Sequence, residues 1–303
     1  MVSNSSINII DGAVGTELQR RGVPMNPACW SANAHITHPK VLLEIHWDYL
    51  VAGATVISTN TFLAGRHVLE ADGIDNFEQI NLSAVDLAKK ARDEFAKDEV
   101  LIAGSLSTLP PLNQANDLPR GKQIERNFQE QANLLAAAGV DVLLVEMLMD
   151  SESAVNMLGP CCDTGLPVWA GLSAMRNDDN DRLMTFRQPG KLADLEHESF
   201  ESLLDTVCEL PVEVLGVMHT ELDLMAPALR AVTARWQGPL LAYAKIGVAD
   251  QEDWNFHQTA SPDIYVRHAL QWIEDFHASV VGGCCGTQPE HVQALSAQLV
   301  GRR

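Results

Sequence analysis

The sequence predicts a single (β/α)8 barrel, an α/β fold, and three observations support this prediction. Eight short apolar runs rich in β-branched residues recur along the chain, and amphipathic stretches follow nearly every one. The 303 residues suffice for eight strand-and-helix units, because one such barrel commonly takes about 250 residues. No linker rich in proline, glycine and serine divides the chain. This alternation favours one closed parallel sheet.

The predicted strands occupy residues 7–11, 54–62, 100–106, 141–148, 167–173, 213–220, 239–247 and 279–287. Each run is nearly continuous in apolar residues, which is typical of parallel strands buried on both faces. The clearest helix spans residues 76–97, where apolar residues recur at intervals of three and four. Further helical patterns cover residues 123–138, 199–210, 222–236, 262–276 and 289–300.

A doubly wound open sheet is the alternative fold. Its nucleotide-binding version would carry a GxGxxG motif after the first strand. The segment there has glycines only at Gly12 and Gly15, so that version is disfavoured.

Charge and hydrophobicity exclude several classes of partner. The chain has 21 basic and 40 acidic side chains, a formal net charge of −19. Such a surface repels nucleic acid and anionic lipids, since binding to phosphate backbones rests on lysine and arginine. No apolar run approaches the roughly 18 residues of a membrane span, and the start shows no secretion signal. We therefore expect a cytoplasmic globular protein without a nucleic-acid or membrane partner.

Four longer irregular stretches are predicted at residues 22–39, 107–121, 176–191 and 248–261. All except the first follow a strand, and in a barrel the loops after strands build the active face. Residues 176–182 are acidic but lack the spacing and the distal glutamate of an EF-hand. A solvated loop is therefore favoured there over a calcium site.

The ends of the strands carry the candidate functional residues. Along the chain these are Asp11, Thr59, Asn60, Thr61, Glu146, His219, Tyr243, Lys245, Cys284 and Cys285. Two thiolates and an imidazole suit Zn²⁺, and three protein ligands leave the fourth tetrahedral position open for a substrate. One strand separates strands six and eight, so we expect His219 to reach the cysteine pair.

Six cysteines are too few for a disulfide scaffold in a chain of this length. Cys284 and Cys285 stand in GGCCGT, where glycines let the backbone bend so that both sulfurs face one point. A second adjacent pair, in LGPCCDTG, lies in a predicted helix-to-strand connection at the opposite end of the barrel. The four remaining cysteines are expected in the apolar core: Cys29, Cys161, Cys162 and Cys208.

Several motifs resemble the zinc-dependent homocysteine S-methyltransferases, which include enzymes that use betaine or S-methylmethionine. The motifs are DGAVGTELQRRG at residues 11–22, WS at 30–31, HWDYLVAGATVISTNTF at 46–62, VE at 145–146 and VVGGCCGTQPEHV at 280–292. GGCCGT combined with the opening motif is specific, and the resemblance spans essentially the whole chain. It implies one homocysteine-binding barrel domain over residues 1–303.

The resemblance also implies roles for individual residues. Cys284 and Cys285 match the family's zinc ligands. Asp11, Gly12 and Ala13 match the loop that holds the amino acid portion of homocysteine, and Glu146 matches the acid that contacts its amino group. Trp30 matches an aromatic residue near the methyl donor, where a ring face can hold a cation; simple packing is the alternative. Asn60 and Tyr243 complete the expected substrate site.

Two segments depart from the family's pattern. The family usually has a third zinc cysteine after strand six, and this chain has His219 in GVMHT. Zn²⁺ with two thiolates and a neutral imidazole is neutral, whereas three thiolates give a net charge of −1. At strand seven, YAKIG replaces the usual YPNSG, so Lys245 is either an anchor for a carboxylate or a charge at the barrel rim.

The implied activity is transfer of a methyl group from a cationic sulfonium or ammonium donor to the thiol of homocysteine, giving methionine, with Zn²⁺ as the cofactor. A different thiol acceptor or donor is one alternative. A hydrolase with zinc-bound water is disfavoured, because thiolate ligands make zinc a poorer Lewis acid. A zinc-binding barrel without catalysis also stays open, as does assembly into a homo-oligomer.

Overall fold

The computed structural model describes residues 7–95, 100–112, 121–177, 182–186, 198–249 and 256–300. Within them, eight parallel strands form the predicted barrel. The strands are β1 (Asn8–Ile9), β2 (Val56–Ser58), β3 (Leu101–Ser107), β4 (Val142–Leu148), β5 (Val168–Leu172), β6 (Val214–Glu221), β7 (Leu240–Lys245) and β8 (Ala278–Gly283). From β2 to β8 each strand pairs with the next in chain order, and β8 pairs with β1.

The barrel closes between its first two strands. Thr55 donates its backbone N–H to Ile9 at 2.8 Å, and Asp11 donates to Val56 at 2.9 Å. A parallel bridge between Ile10 and Val56 joins the same segments. A parallel sheet that closes in this way has no free edge. The doubly wound alternative is therefore excluded.

Helices cover the outside of the sheet. They are α1 (Val14–Arg20), α2 (Ala34–Thr37), α3 (Pro39–Ala52), α4 (Arg66–Glu70), α5 (Phe77–Phe95), α6 (Lys122–Ala138), α7 (Ser151–Asp163), α8 (Phe200–Val207), α9 (Leu222–Thr233), α10 (Pro262–Phe276) and α11 (Pro289–Val300). In α5 the buried positions Phe77, Ile80, Ala84 and Ala88 recur at intervals of three and four, so one stripe packs inward.

The sequence interpretation was wrong for residues 151–163. They form α7, so Cys161 and Cys162 lie in its last turn and not in a connection. Pro160 obscured this helix, because proline disfavours helix interiors. Cys29 and Cys161 are buried as expected, whereas Cys162 and Cys208 are only partly buried.

Two antiparallel strand pairs were also missed. Ala174–Arg176 pairs with Leu183–Thr185, and Gly247–Ala249 pairs with Phe256–Thr259, in stretches predicted to be irregular. Residues 178–181 of the acidic segment lie outside the described residues. No helix in the described ranges is both long and apolar enough to cross a membrane.

Apolar side chains pack both inside the barrel and between the sheet and the helices. Trp169 of β5 is fully buried in the interior cluster, together with Leu241 and Met218. Gly216 of β6 makes room for the backbone of the next strand. A Cβ atom there would lie 1.9 Å from the carbonyl oxygen of Leu241.

We predict that Gly216→Ala lowers the free energy of unfolding by about 3 kcal/mol or more, because the added methyl group would push β6 away from β7. Gly159→Ala is the matched control, since a Cβ there meets nothing within 4 Å on a helix. The free energy of unfolding of that variant should rise by about 0.5–1 kcal/mol. Urea unfolding measures both values, and equal stability of the two variants would contradict the packing argument.

Candidate active site

A pocket opens at the carboxyl ends of the strands. Its lining comprises Ala13, Val14, Gly15, Trp30, Ser31, Ser58, Thr59, Asn60, Phe62, Ser105, Glu146, Met147, Tyr243, Cys284 and Cys285. These residues lie within or directly after six of the eight strands, or in the loop after α1. The barrel therefore gathers residues that are far apart in sequence at one end, where enzymes of this fold carry their active sites.

A cluster of two thiols and one imidazole lies at the base of this end. His219 Nδ1 lies 3.3 Å from Cys284 Sγ and 3.5 Å from Cys285 Sγ, and the two sulfurs are 3.7 Å apart. All three residues are buried, and both cysteines are free. Three donor atoms that converge in this way could hold a metal ion.

The backbone after β8 brings both sulfurs to one side. Strand β8 ends at Gly283, and Gly286 has a φ of +88°, which favours glycine. Cys284 donates its N–H to Ala244 at 2.7 Å, and the carbonyl of Cys285 accepts from Ile246 at 3.0 Å. The cysteine turn is thus tied to the end of β7, and the bend expected from the glycines is confirmed.

The neighbouring Cys285 and burial raise the pKa of Cys284 above its ordinary value. The hydrogen bond with Cys285 is the larger cause, followed by burial, while His219 acts in the opposite direction. The protonated form of Cys284 is therefore favoured until a cation approaches. A metal ion that binds such a pair deprotonates it.

Residues with a left-handed backbone cluster around the pocket. His219 has a φ of +44°, Met147 of +56° and Trp30 of +49°. A non-glycine residue in this region costs of order 1 kcal/mol or more, and such residues concentrate at functional sites. The geometry that aims these side chains is thus maintained against local strain.

Two carboxyl groups are buried beside the pocket, each held by a serine. Asp11 accepts from the Ser58 N–H at 2.8 Å and from the Ser58 hydroxyl at 2.9 Å, and Glu146 accepts from the Ser105 hydroxyl. Burial raises the pKa of Glu146 to about 7, against the hydrogen bond from Ser105. Burial also raises the pKa of Asp11, and the charge of Glu146 adds to this effect.

Asn60 orders the loop that carries Trp30. Its side-chain amide donates to the Ser31 carbonyl at 2.7 Å and approaches His35 Nδ1 at 3.3 Å. Since His35 Nε2 lies 2.9 Å from the carbonyl oxygen of Ile80, Nε2 carries the proton and Nδ1 accepts. Burial lowers the pKa of His35 to about 4, so this neutral form persists. Asn60 therefore holds the backbone next to Trp30 in place.

Lys245 lies at the rim, beside the cluster. Its Nζ is 3.5 Å from Glu221 Oε1 and 5.1 Å from the centre of the Phe186 ring. Lys245 does not line the pocket described above. Of the two sequence interpretations, the structure thus favours a charge at the barrel rim.

The pocket includes most of the predicted substrate residues: Ala13, Trp30, Asn60, Glu146 and Tyr243. Asp11 and Gly12 do not line it, and Asp11 acts on it through Ser58. A Cβ on Gly12 would lie 2.5 Å from the Tyr49 hydroxyl, so this glycine permits close packing of the loop. Sequence reasoning missed Ser58, Ser105, Phe62 and Met147, although all four lie within or beside predicted strands.

Comparison with known proteins agrees with this geometry. A model of the homocysteine S-methyltransferase family matches residues 8–299. The chain belongs to this family. It is 26% identical to the homocysteine S-methyltransferase YbgG of Bacillus subtilis, over 95% of this chain and 93% of that protein. It is also 26% identical to betaine–homocysteine S-methyltransferase 1 of Bos taurus, over 100% of this chain and 74% of that protein.

The fold is shared with a solved member of the family. The metallated form of the homocysteine methyltransferase MmuM from Escherichia coli superposes with a TM-score of 0.74, at 23% identity, over 97% of this chain and 96% of that one. As a member of this family, the chain is a methyltransferase. Among the described residues, His219, Cys284 and Cys285 are the group that could hold the metal of a homocysteine S-methyltransferase.

We predict that Glu146→Gln flattens the pH dependence of stability. The folded pKa of Glu146, about 7, lies above its ordinary value of 4.5, so its contribution is full below pH 4.5 and is lost as the pH rises through 7. Without the carboxyl group, the free energy of unfolding should fall by about 3 kcal/mol less over this range. Urea unfolding at pH 4.5 and 8 measures the difference.

Ser105→Ala serves as the second variant. Since the Ser105 hydroxyl favours the ionised form of Glu146, its loss should raise the pKa further and steepen the same pH dependence. Parallel stability curves for the wild type and Glu146→Gln would contradict the assignment of a raised pKa to Glu146.

Proposed function

We propose that this protein transfers a methyl group from a cationic sulfonium or ammonium donor to the thiol of homocysteine, with Zn²⁺ held by His219, Cys284 and Cys285. Residues 1–303 would act as one homocysteine-binding barrel in the cytoplasm. The observation that carries the proposal is the presence of a soft three-ligand cluster and two buried carboxyl groups at one end of the barrel.

The distances within the cluster fit zinc. With Zn–S bonds of about 2.3 Å and a Zn–N bond of about 2.0–2.1 Å, tetrahedral angles separate two sulfurs by about 3.8 Å and sulfur from nitrogen by about 3.6 Å. The protein places these atoms 3.7, 3.3 and 3.5 Å apart. Three ligands leave a fourth position for a substrate, unlike a closed structural site.

When bound, zinc would stabilise the thiolate of homocysteine, which is the nucleophilic form of sulfur. The chain's own groups hold the rest of the amino acid. Glu146 lines the pocket and is buried, so its carboxylate is suited to pair with the substrate's ammonium group. Asp11, once ionised, would add negative charge from behind Ser58. An ammonium group lowers the pKa of both acids by favouring their ionised forms.

Aromatic side chains line the region where the methyl donor would bind. The rings of Trp30, Phe62 and Tyr243 all border the pocket that contains the two cysteines. A ring face attracts a methylated cation, and a desolvated contact contributes about 2 kcal/mol. The formal net charge of −19 also favours the approach of cations, although salt limits this effect to about 8–10 Å.

The reaction balances with these two substrates alone. The homocysteine sulfur, having released its proton to solvent, forms a bond to the methyl carbon. The bond from that carbon to the sulfonium or ammonium atom breaks, and its electron pair stays with the donor as a neutral leaving group. Alignment of the two substrates and exclusion of water from the buried pocket supply the acceleration.

The metal assignment predicts distinct results for two substitutions at His219. His219→Ala should lose stoichiometric zinc after dialysis, because only two ligands remain. His219→Cys should retain zinc, because three thiolates also form a normal site. Cys208→Ala, at a partly buried position in the cap of α8, is the control and should bind like the wild type. Elemental mass spectrometry measures the zinc bound per chain. One zinc per chain in His219→Ala would exclude this residue as a ligand.

The activity is tested with zinc-loaded protein, homocysteine and a panel of deuterated methyl donors. The panel holds S-methylmethionine, betaine, other dimethylsulfonium compounds and methylfolate. We expect labelled methionine from at least one cationic donor. Glu146→Gln should raise the KM for homocysteine about 10- to 100-fold, since a hydrogen bond to a charged group is lost, while the KM for the donor changes little. Absence of methionine with every donor would overturn the proposal.

A further inference from the structure

Three side chains form a stack beside His219: Phe186, Lys245 and Glu221. The stack lies near the ends of strands β5 to β7. The Phe186 ring contacts the His219 ring edge to face, with ring centres 4.9 Å apart and planes at 81°. Lys245 Nζ lies 5.1 Å from the centre of the Phe186 ring, and Glu221 pairs with Lys245 at 3.5 Å. From this arrangement we infer that Phe186 is a positioning residue for the metal-ligating imidazole, and that Lys245 secures the Phe186 ring. The inference rests on the proposed metal site.

An imidazole ligand needs an orientation that a thiolate does not. The lone pair of a ring nitrogen lies in the ring plane, so rotation about the side-chain bonds of His219 moves Nδ1 away from the sulfurs. A metal-ligating histidine usually has its orientation set by a hydrogen bond from its other nitrogen. In the described part of the chain, no protein group forms a hydrogen bond with His219 Nε2. Besides the contacts of Nδ1 with the two sulfurs, contact with Phe186 is the restraint on the ring that the described residues show.

Phe186 is itself held by a defined backbone. It follows the strand Leu183–Thr185, and its N–H donates to the Ser173 carbonyl at 2.8 Å. Ser173 comes directly after β5, so the ring projects from an element that is anchored to the barrel. The N–H of Thr185 is also held, by the carbonyl of Glu198 at 3.0 Å.

Lys245 reaches Phe186 from the neighbouring strand. Lys245 ends β7 and lies opposite Glu221, the last residue of β6, in the strand register. An ammonium group over an aromatic face is attracted by the negative potential of the ring. Glu221 limits the freedom of the lysine, because the ion pair restrains its ammonium group. The stack therefore connects the ends of β6 and β7 to the His219 ring.

The test compares Phe186→Leu with the conservative variant Phe186→Tyr. Phe276→Leu is the matched control, because Phe276 also has a cation near its ring, with Arg230 6.0 Å from the ring centre, at the opposite end of the barrel. Zinc affinity is measured by competition with a chelator, and Co²⁺ is titrated into the metal-free protein to record the visible spectrum. Thermal unfolding of the metal-free variants reports any general loss of packing.

We expect Phe186→Leu to weaken zinc binding about 10- to 100-fold, the usual effect of losing a partner of a metal ligand, and to change the Co²⁺ spectrum. Phe186→Tyr should retain both properties of the wild type. Lys245→Met should weaken binding about twofold to fivefold. Wild-type zinc affinity and an unchanged Co²⁺ spectrum in Phe186→Leu would overturn the inference, as would an equal loss in Phe276→Leu.

The result also separates this inference from the proposed function. If no donor methylates homocysteine but Phe186→Leu still weakens zinc binding, the positioning role stands and the reaction is wrong. If the wild type binds neither zinc nor Co²⁺, both proposals fail.

Discussion

Closure of the barrel between β1 and β2 is the constraint on which the site depends. Strand β1 has only two residues, yet its backbone bonds on both sides, to β8 and to the segment before β2. This pairing brings Asp11 against Ser58, 47 positions later in the sequence. Pairing of β1 with β8 brings the first turn of α1 beside the cysteine turn, where the Gly286 N–H donates to the Thr16 hydroxyl at 3.5 Å. Without closure, β1 with Asp11 and β2 with Ser58 would lie at opposite edges of an open sheet.

The charge balance of the pocket explains what it is suited to bind. Burial raises the pKa values of Asp11, Glu146 and Tyr243, and the hydrogen bond with Cys285 together with burial raises that of Cys284. No lysine or arginine lines the pocket in the described part of the chain. The site therefore combines several acids with no protein cation. The proposed reaction brings three positive groups: a metal ion, a substrate ammonium and a methylated donor.

Much of this arrangement was predictable from the sequence, and the exceptions have physical causes. Continuous apolar runs identified the barrel strands, and the ends of those runs contain His219, which contacts Cys284, and Glu146, which lines the same pocket as Cys284. Pro160 masked the periodicity of α7. The strand pairs in the loops were missed because they are only three or four residues long and pair locally. A run this short has too few positions to show a period.

Phe186 illustrates the limit of sequence reasoning at the site. It lies 33 positions before His219, in a stretch predicted to be irregular, and no motif contains it. Its proposed positioning role depends on the pairing of two short strands and on the strand register that places Glu221 opposite Lys245. Such a contact follows from three-dimensional packing of loop and strand ends. A linear pattern of hydrophobicity does not encode it.

Replacing a thiolate by an imidazole has two opposing effects on the proposed chemistry. With one anionic ligand fewer, the centre is neutral and attracts an incoming thiolate more strongly, which lowers the pKa of the substrate thiol. The same change leaves that sulfur less electron-rich, and nucleophilicity falls as the pKa falls. The chain then depends more on orientation than on reactivity of the sulfur. The left-handed backbone of His219 and the edge-to-face contact of Phe186 with the imidazole would both favour a fixed orientation of this ligand in the proposed centre.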